Sequence, residues 1–352
     1  MRVQEALTRD GRVRYLLVTD DGDIVEPVAR YLKYLDATGK ARNTIRAYCY
    51  HLKLYFEFLS QQRLDYRRVG LDDLASFLRW LRSPFASLRV IPAQPVKEAR
   101  TVRTVNMVIS TVTDFYDYLL RTDRYQGQLP EQLRRTISAS RRRFKGLLHH
   151  VARAKPVQVN VLQIREPRRC RRVLGQDEVQ RLLDACSNSR DRLLLALLYQ
   201  AQLRIGEALA LWLEDFDVTA ARLSVADRGE LINAAEIKSF SSPRTVHVSR
   251  DLVNLFLDYV AEYHTEASPN SVFLKIAGPA RGSPMTYADV DALFRRLRKK
   301  TGIAVTPHTL RHTGLTELFR AGMRPEAIQR RAGHAHAQTT LQTYVHPSEE
   351  DL

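Results

Sequence analysis

The sequence predicts a mainly α-helical protein with a small antiparallel β-sheet, arranged as two domains joined by a basic linker. Its 352 residues exceed what one ordinary hydrophobic core supports, and 44% of them are hydrophobic, which is enough to bury two cores. Apolar residues recur at helical spacing in both halves of the chain. Alternating segments are short and lie mostly in the second half, so helices are favoured over a large sheet.

Residues 1–26 predict a small N-terminal hairpin. The segment 13–18 reads VRYLLV and is strand-like, and the acidic pair followed by glycine at 20–22 favours a turn before 24–25. We expect two short strands about this turn.

Residues 27–125 predict a compact helical domain. In the segment 43–59 the apolar side chains fall on one helical face, and Asn43 or Thr44 is placed to cap the first turn. Four segments share this pattern and would bury their apolar faces against one another. The predicted helices are 28–35, 43–59, 71–81 and 101–120.

Residues 126–172 predict a basic linker. Between Arg134 and Arg172 the chain carries thirteen lysines and arginines and a single acid, Glu166. Because so one-sided a run repels itself when folded alone, we interpret it as a connector that lies along nucleic acid. A solvated connector without a ligand is the alternative. The linker residues predicted to contact DNA are Arg141, Arg142, Arg143 and Lys145.

Residues 173–352 predict a second domain, of helices around a few strands. Strand-like residues occur at 222–225 and at 236–248, and the latter is expected to fold about 240–243 as a hairpin. Gly322 and Gly333 are placed to end two helices. The predicted helices are 176–186, 191–202, 252–264, 287–301, 307–321 and 325–331.

The formal net charge of +16 points to a polyanionic partner. Each lysine or arginine that neutralises a phosphate releases a counterion, so a surplus of this size favours nucleic acid. A basic protein of ribosomal type or one bound to a membrane surface is the alternative. In the first domain Lys40, Arg42 and Arg46 cluster at one helix entry and are the candidates for phosphate contact.

Cysteine usage and hydropathy indicate a protein of the reducing cytoplasm. Cys49, Cys170 and Cys186 lie far apart without a C-x-x-C pair, so neither a disulfide nor a zinc site is indicated. No apolar run is long enough for a signal peptide or a membrane span. We expect no membrane association, no cofactor and no metal ion.

An anion site is predicted where His308 and Arg311 open a helix. Thr306 is a plausible N-cap and Pro307 suits the first turn, so the helix N-terminus contributes partial positive charge. The i, i+3 spacing places His308 and Arg311 on one face. A histidine and an arginine on an ordinary surface helix are the alternative.

Three residues upstream are candidates to act with this pair. Arg204 precedes a new helix and could form a second phosphate fork, and Glu207 could hold it in place. Lys238 is the only lysine between Lys155 and Lys275 and stands at the start of the predicted hairpin turn, where it could act as a general acid. An exposed helix acid and a solvated lysine are the alternatives.

Two residues downstream complete the candidates. His334 directly follows Gly333, and Tyr344 is one of fifteen tyrosines but stands among polar residues that would leave its hydroxyl exposed. Neither signal is specific by itself.

Four segments together resemble the tyrosine recombinase (phage integrase) family, in particular its transposon-encoded branch. The resemblance covers about residues 173–348, and the helical domain at 27–122 resembles the core-binding domain of the family more loosely. The segments are ALLYQAQLRIGEAL, EIKSFSSPRTVHV, HTLRHTGLTELFRAG and RRAGHAHAQTTLQTYVH.

The resemblance implies a site-specific recombinase that cuts and rejoins DNA through a 3′-phosphotyrosyl link, without metal or ATP. It implies that Tyr344 is the nucleophile and Lys238 the general acid. It further implies a homo-tetramer on two DNA sites, with related recombinases as possible partners, near the nucleoid of a prokaryotic cytoplasm. The remaining implied site residues are Arg204, Glu207, His308, Arg311 and His334.

Two features depart from the family pattern. Ala332 occupies the position of a customary leucine, and His334 and Tyr344 stand ten positions apart, one more than is usual.

Three other functions share some of these features. A non-catalytic accessory protein of recombinase descent would lack some of these chemical residues, whereas all are present. A type IB topoisomerase would share the chemistry. A metal-dependent phosphoesterase using the histidines is disfavoured, because the pair His308 and His312 has Thr309 where a metalloprotease has glutamate.

Overall fold

The computed structural model divides into two compact units, Met1–Arg168 and Arg169–Leu352. The structure describes residues 1–8, 13–83, 99–125, 127–137, 157–166, 172–229, 231–235, 237, 243–266 and 268–333.

The first unit begins with a two-stranded antiparallel hairpin of β1 (Arg2–Leu7) and β2 (Val13–Val18). The predicted strand 13–18 is therefore present, and its main partner is one that the sequence did not indicate. It pairs along its whole length with 2–7, whereas the predicted partner at 24–25 contributes one bridge, between Val18 and Ile24. The turn at 20–22 does form, with Gly22 at φ 95°. The ladder with β1 and the short pairing about this turn are both present, because Val18 pairs with Arg2 and with Ile24.

Four helices follow this hairpin, and their bounds lie close to those predicted. Its apolar interior is rich in aromatic rings, of which Tyr55, Phe77 and Phe115 are fully buried. The predicted cap of the second helix was wrong, because the helix starts one residue earlier, with Ala41 at the N-cap and no side-chain cap. The helices are α1 (Glu26–Ala37), α2 (Arg42–Gln62), α3 (Leu71–Arg82) and α4 (Val102–Arg121).

The stretch after α4 contains structure that the sequence pattern did not predict. A helical turn, α5 (Leu129–Gln132), leads into β3 (Arg134–Ile137), which pairs antiparallel with β4 (Val157–Asn160). The chain beyond β4 then lies on α4. Asn106 Nδ2 donates to the Ile164 carbonyl at 2.9 Å and its Oδ1 accepts from the Ile164 amide at 2.9 Å. Arg141, Arg142, Arg143 and Lys145 lie outside the described residues.

The second unit packs seven helices, as far as the chain is described, around a core of leucines and aromatic rings. The predicted helices are present, and α8 is the short helix that was predicted to begin after Arg204. They are α6 (Gln176–Asp184), α7 (Ser189–Gln200), α8 (Ile205–Leu209), α9 (Arg250–Tyr263), α10 (Tyr287–Thr301), α11 (Pro307–Arg320) and α12 (Pro325–Ala332).

A three-stranded antiparallel sheet in the order β5-β6-β7 lies beside these helices. The predicted strand at 222–225 is β6 (Arg222–Val225), which pairs with β5 (Phe216–Asp217) and β7 (Arg244–His247). Most of the predicted hairpin around 240–243 lies outside the described residues. The predicted fold class, mainly α with a small antiparallel sheet, is confirmed.

No helix within the described ranges is both long enough and apolar enough to cross a bilayer.

Candidate active site

The first part of the site is built where α7 ends and α8 begins. The Arg204 amide donates to Glu207 Oε2 at 2.8 Å, and its Nη1 donates to Oε1 at 2.7 Å. A carboxylate one turn into a helix is well placed to accept from the exposed amide at the start. Glu207 is 1% exposed and the Arg204 side chain is 26% exposed. Arg204 therefore contacts both the buried carboxylate and the solvent.

The second part of the site comes from α11. Thr306 caps this helix as predicted by accepting from the Thr309 amide. One turn in, Arg311 is only 3% exposed and donates through Nη1 to the Gln202 carbonyl, with the same nitrogen 3.6 Å from Glu207 Oε2. The two predicted arginines thus share one carboxylate.

A glycine allows α11 to approach α7 this closely. A Cβ built on Gly314 would lie 2.0 Å from the Tyr199 carbonyl oxygen, far inside van der Waals contact. Any larger residue would therefore push α11 away from the end of α7. Arg311 stands on the face of α11 that this contact brings towards Glu207.

A third arginine, Arg244 in β7, was missed by the sequence reasoning. Its Nη1 and Nη2 donate to the two oxygens of Glu207 at 3.0 and 2.9 Å, and its side chain is 8% exposed. A signal was present, because Arg244 is two residues before the buried Val246 and therefore shares its inward face. An inward arginine needs a buried counter-charge. We call Glu207 with Arg204, Arg244 and Arg311 the Glu207 cluster.

The C-terminal end of α12 holds all three arginines as well. The last carbonyls of a helix lack intrahelical donors, and the helix dipole makes this end partly negative. Consecutive carbonyls at 331–333 each accept from one arginine of the Glu207 cluster. The three pairs are Arg244 Nε to Arg331 at 2.7 Å, Arg311 Nη2 to Ala332 at 2.5 Å and Arg204 Nη2 to Gly333 at 2.8 Å.

The Glu207 cluster carries an excess of positive charge. Burial by itself would raise the pKa of Glu207, but the hydrogen bonds and charge of Arg244, then the charge of Arg311, lower it to about 2. Glu207 is therefore ionised at neutral pH. Three guanidiniums and one carboxylate give the cluster a formal charge of +2, which suits a phosphate ligand.

The histidines of α11 differ in environment. His308 is exposed in the first turn, and its ring centroid lies 6.4 Å from that of His312. His312 is 5% exposed, and its Nδ1 is 3.1 Å from Thr316 Oγ1. His308 can thus meet a ligand at the surface, whereas His312 is part of the packing. Within the described residues no group of three or more His, Cys, Asp and Glu could hold a metal ion.

Three predicted site residues, Lys238, His334 and Tyr344, lie outside the described residues. Two of them directly follow a described residue in the sequence. Gly333 ends α12 at φ 61° as predicted and directly precedes His334, and Ile237 directly precedes Lys238.

In the first unit, the predicted basic cluster lies at the start of α2. Lys40 and Arg46 are exposed, and the Arg46 guanidinium lies 5.9 Å from the centre of the exposed Tyr50 ring. Arg42 is half-buried and its Nε is 3.4 Å from Tyr15 Oη. An exposed basic edge with an adjacent aromatic ring suits a nucleic-acid backbone.

The second unit thus holds three arginines on one buried carboxylate, in a chain of two mainly helical units. Residues 172–351 match the phage integrase family, and residues 28–123 match the phage integrase N-terminal SAM-like domain. The chain therefore belongs to the phage integrase family and is a tyrosine recombinase, as the sequence motifs predicted.

Two curated relatives extend over nearly the whole chain. Transposase A from transposon Tn554 of Staphylococcus aureus is 42% identical over 339 residues, which are 96% of this chain and 92% of that protein. Tyrosine recombinase XerA of Thermococcus kodakarensis is 28% identical over 330 residues, or 93% of each chain.

Two solved structures share the fold. The Tn1549 transposon integrase in complex with a circular intermediate DNA aligns with a TM-score of 0.63 at 20% identity, covering 92% of this chain and 96% of that chain. The XerH site-specific recombinase bound to difH substrate in a pre-cleavage complex aligns with a TM-score of 0.59 at 17% identity, covering 92% and 81%.

Proposed function

We propose that this chain is the recombinase of a mobile element, which cuts and rejoins DNA at specific sites through a covalent 3′-phosphotyrosyl intermediate. The observation that carries the proposal is the convergence of Arg204, Arg244 and Arg311 on the single buried carboxylate of Glu207. Such a cluster has more positive than negative formal charge, which suits the binding of a phosphodiester. The identity of 42% with a transposase supports the mobile-element role.

In the proposed reaction Tyr344 attacks the scissile phosphorus. The Tyr344 oxygen forms a bond to phosphorus, and the bond from phosphorus to the 5′-oxygen breaks. Lys238 gives a proton to the departing 5′-oxygen, and His308 accepts the proton of the tyrosine. Because the tyrosyl link retains the phosphodiester energy, religation by the reverse steps needs neither ATP nor a metal.

The remaining proposed residues stabilise the transition state. Arg204 and Arg311 bind the non-bridging oxygens, where negative charge develops, and His334 donates a hydrogen bond beside them. Glu207 supports both arginines, and its ionised carboxylate with the carbonyls of α12 restricts where their guanidiniums can point. Preorganised donors of this kind need little reorganisation during the reaction.

DNA binding is proposed to involve both units and the stretch between them. We propose a DNA-binding domain at 27–125 after the hairpin extension 1–26, a basic linker at 126–172 that lies along DNA, and a catalytic domain at 173–352. The contacts in the first domain would be made by Lys40, Arg42 and Arg46, and in the linker by Arg141, Arg142, Arg143 and Lys145. The active assembly is a homo-tetramer on two DNA sites, in the cytoplasm at the nucleoid.

The nucleophile is tested by trapping the covalent intermediate. Wild type and Tyr344→Phe are incubated with a nicked half-site in EDTA, and the protein–DNA adduct is resolved on a denaturing gel. We expect the adduct with wild type and none with Tyr344→Phe. Tyr34→Phe, at an exposed tyrosine of the first unit, is the matched control and should keep the adduct. An adduct with Tyr344→Phe would assign the nucleophile elsewhere.

The general acid is tested with a substrate whose leaving group needs no proton. We expect Lys238→Ala to cleave an ordinary half-site poorly and to recover on a 5′-bridging phosphorothioate, because sulfur departs without protonation. Absence of recovery would exclude Lys238 as the acid.

A further inference from the structure

Gln202 has a backbone conformation that is uncommon for a residue with a side chain. It lies between the end of α7 and Arg204 at φ 49°, and it is 3% exposed. A residue other than glycine is held in the left-handed region only where its surroundings over-determine it. Hydrogen bonds to Tyr199, Arg311 and Arg331 hold Gln202 in this conformation.

All the polar groups of the Gln202 carbonyl and side chain are engaged. Its backbone carbonyl accepts from Arg311 Nη1. Its side-chain Nε2 donates to the Tyr199 carbonyl at 2.8 Å, and its Oε1 accepts from Arg331 Nε at 2.5 Å. The left-handed backbone of Gln202 thus directs its carbonyl towards α11, and its side-chain amide connects α7 to α12.

Arg331 completes this connection from α12. Besides Gln202, it donates through Nη2 to the carbonyls of Gln200 at 2.8 Å and His247 at 3.2 Å. It therefore joins the ends of α7 and β7 to the last turn of α12. Burial and the nearby charge of Arg244 lower the pKa of Arg331, so this position is unfavourable for a guanidinium except for the contacts it makes.

We infer that Gln202 and Arg331 form a positioning pair for the two phosphate-binding arginines, Arg204 and Arg311. The pair fixes the end of α12, whose carbonyls at 332 and 333 orient Arg311 and Arg204, and it aims the Gln202 carbonyl at Arg311. The pair acts through the arginines and not on the DNA. Its effect on cleavage rests on the function proposed above.

The test compares two neighbouring arginines of α12. Arg331→Met keeps an unbranched side chain and loses the guanidinium, whereas Arg330→Met removes the same charge from an exposed position. We expect Arg331→Met to lower the single-turnover cleavage rate at saturating half-site by roughly 10- to 100-fold, since small misplacement of catalytic groups is costly. Half-site affinity should stay within about twofold of the Arg330→Met control.

A neutral substrate separates positioning from general support of the fold. In a methylphosphonate half-site, a methyl group replaces one non-bridging oxygen, so a correctly aimed arginine contributes less. We expect the defect of Arg331→Met to shrink by roughly threefold or more on this substrate. An equal defect on both substrates would mean that the pair supports only folding, and a loss of affinity with an unchanged rate would make Arg331 a DNA contact. Either outcome overturns the inference.

Gln202→Gly is the second variant, because glycine accepts the left-handed backbone and removes only the two side-chain bonds. It should show the same pattern, and the double variant should be no slower than Arg331→Met, since both changes break one connection. Additive defects would overturn the inference.

The positioning is also measurable without DNA. In ¹⁵N NMR spectra, Arg311 Nε–H should exchange with solvent faster in Arg331→Met than in wild type. An unchanged exchange rate would overturn the inference. Failure of wild type to form an adduct, by contrast, would overturn the proposed function and leave this measurement valid.

Discussion

The two units bury polar groups in different ways. In the first unit the buried polar atoms are neutral hydroxyls. Tyr55 Oη and Tyr116 Oη lie 2.6 Å apart, and Tyr125 Oη donates to the Val69 carbonyl at 2.8 Å. In the second unit a buried carboxylate, Glu207, is surrounded by three guanidiniums.

This difference indicates that the buried polar groups of the two units have different roles. A neutral hydroxyl with one partner is buried at little net cost in free energy. The aromatic interior of the first unit therefore stabilises the fold. Buried charges are expensive to desolvate, and well-packed apolar residues are often at least as stable in their place. The Glu207 cluster is therefore better explained by the fixed geometry it imposes on phosphate-binding arginines.

The two units can be followed separately because the chain has two tryptophans, Trp80 in the first and Trp212 in the second. Single-tryptophan variants, Trp212→Phe and Trp80→Phe, then report one unit each in denaturant titrations.

The largest effect is expected for Glu207→Ala. Removing the carboxylate leaves Arg244 and Arg311 buried without it, so the unfolding free energy of the second unit should fall by about 3–5 kcal/mol. Adduct formation should fall by roughly 100-fold or more, because the arginines lose a fixed direction. Trp212 fluorescence and the half-site assay measure the two effects. Glu214→Ala, at a side chain that is 62% exposed, is the control and should do neither.

Phe77→Ala should affect stability alone. Phe77 is fully buried, and its ring centre is 6.0 Å from that of Trp80. We expect the unfolding free energy of the first unit to fall by about 3–5 kcal/mol, measured through Trp80, with the cleavage rate of the DNA-bound protein unchanged at low temperature. Met107→Ala, half exposed in the same unit, controls for stability. A slower cleavage step would contradict the separation between the two regions.

Acid should weaken the second unit through Glu207. Its folded pKa of about 2 lies below the ordinary 4.5, so its contribution is complete above about pH 4.5 and is lost as pH falls towards 2. The shift corresponds to a contribution on the order of 3 kcal/mol. We expect the difference in unfolding free energy between wild type and Glu207→Gln to shrink over this range. A difference in unfolding free energy that is independent of pH would show that the charge of Glu207 does not dominate its contribution to stability.

Tyr55→Phe should have the smallest effect. It removes one of the two paired hydroxyls, while Tyr116 Oη keeps its donation to the Tyr66 carbonyl at 2.8 Å. We expect a loss of about 1 kcal/mol in the first unit, measured through Trp80. A loss as large as that of Glu207→Ala would remove the contrast between neutral and charged burial.

Several elements could be predicted from the sequence because their signals are local. Thr306 caps α11, α10 spans 287–301, and Gly333 ends α12, all as predicted. The ladder between β1 and β2 was missed and the cap of α2 was predicted wrongly, because strand pairing and the entry of the chain into a helix depend on contacts beyond the segment. Arg244 and Gln202 were missed for a related reason, since neither residue type in isolation signals a site.

The sequence by itself determined the family, most of the helices, and the grouping of Arg204, Glu207 and Arg311, because periodicity, caps and motif spacing are local features of the chain. Only the tertiary structure decided that Arg244 shares Glu207 and that three carbonyls of α12 hold the arginines. These partners lie 37 positions from Glu207 for Arg244 and 129 from Arg204 for Gly333. Contacts over such separations arise from packing, and the alternation in β7 can mark Arg244 as inward-facing but cannot identify Glu207 as its partner.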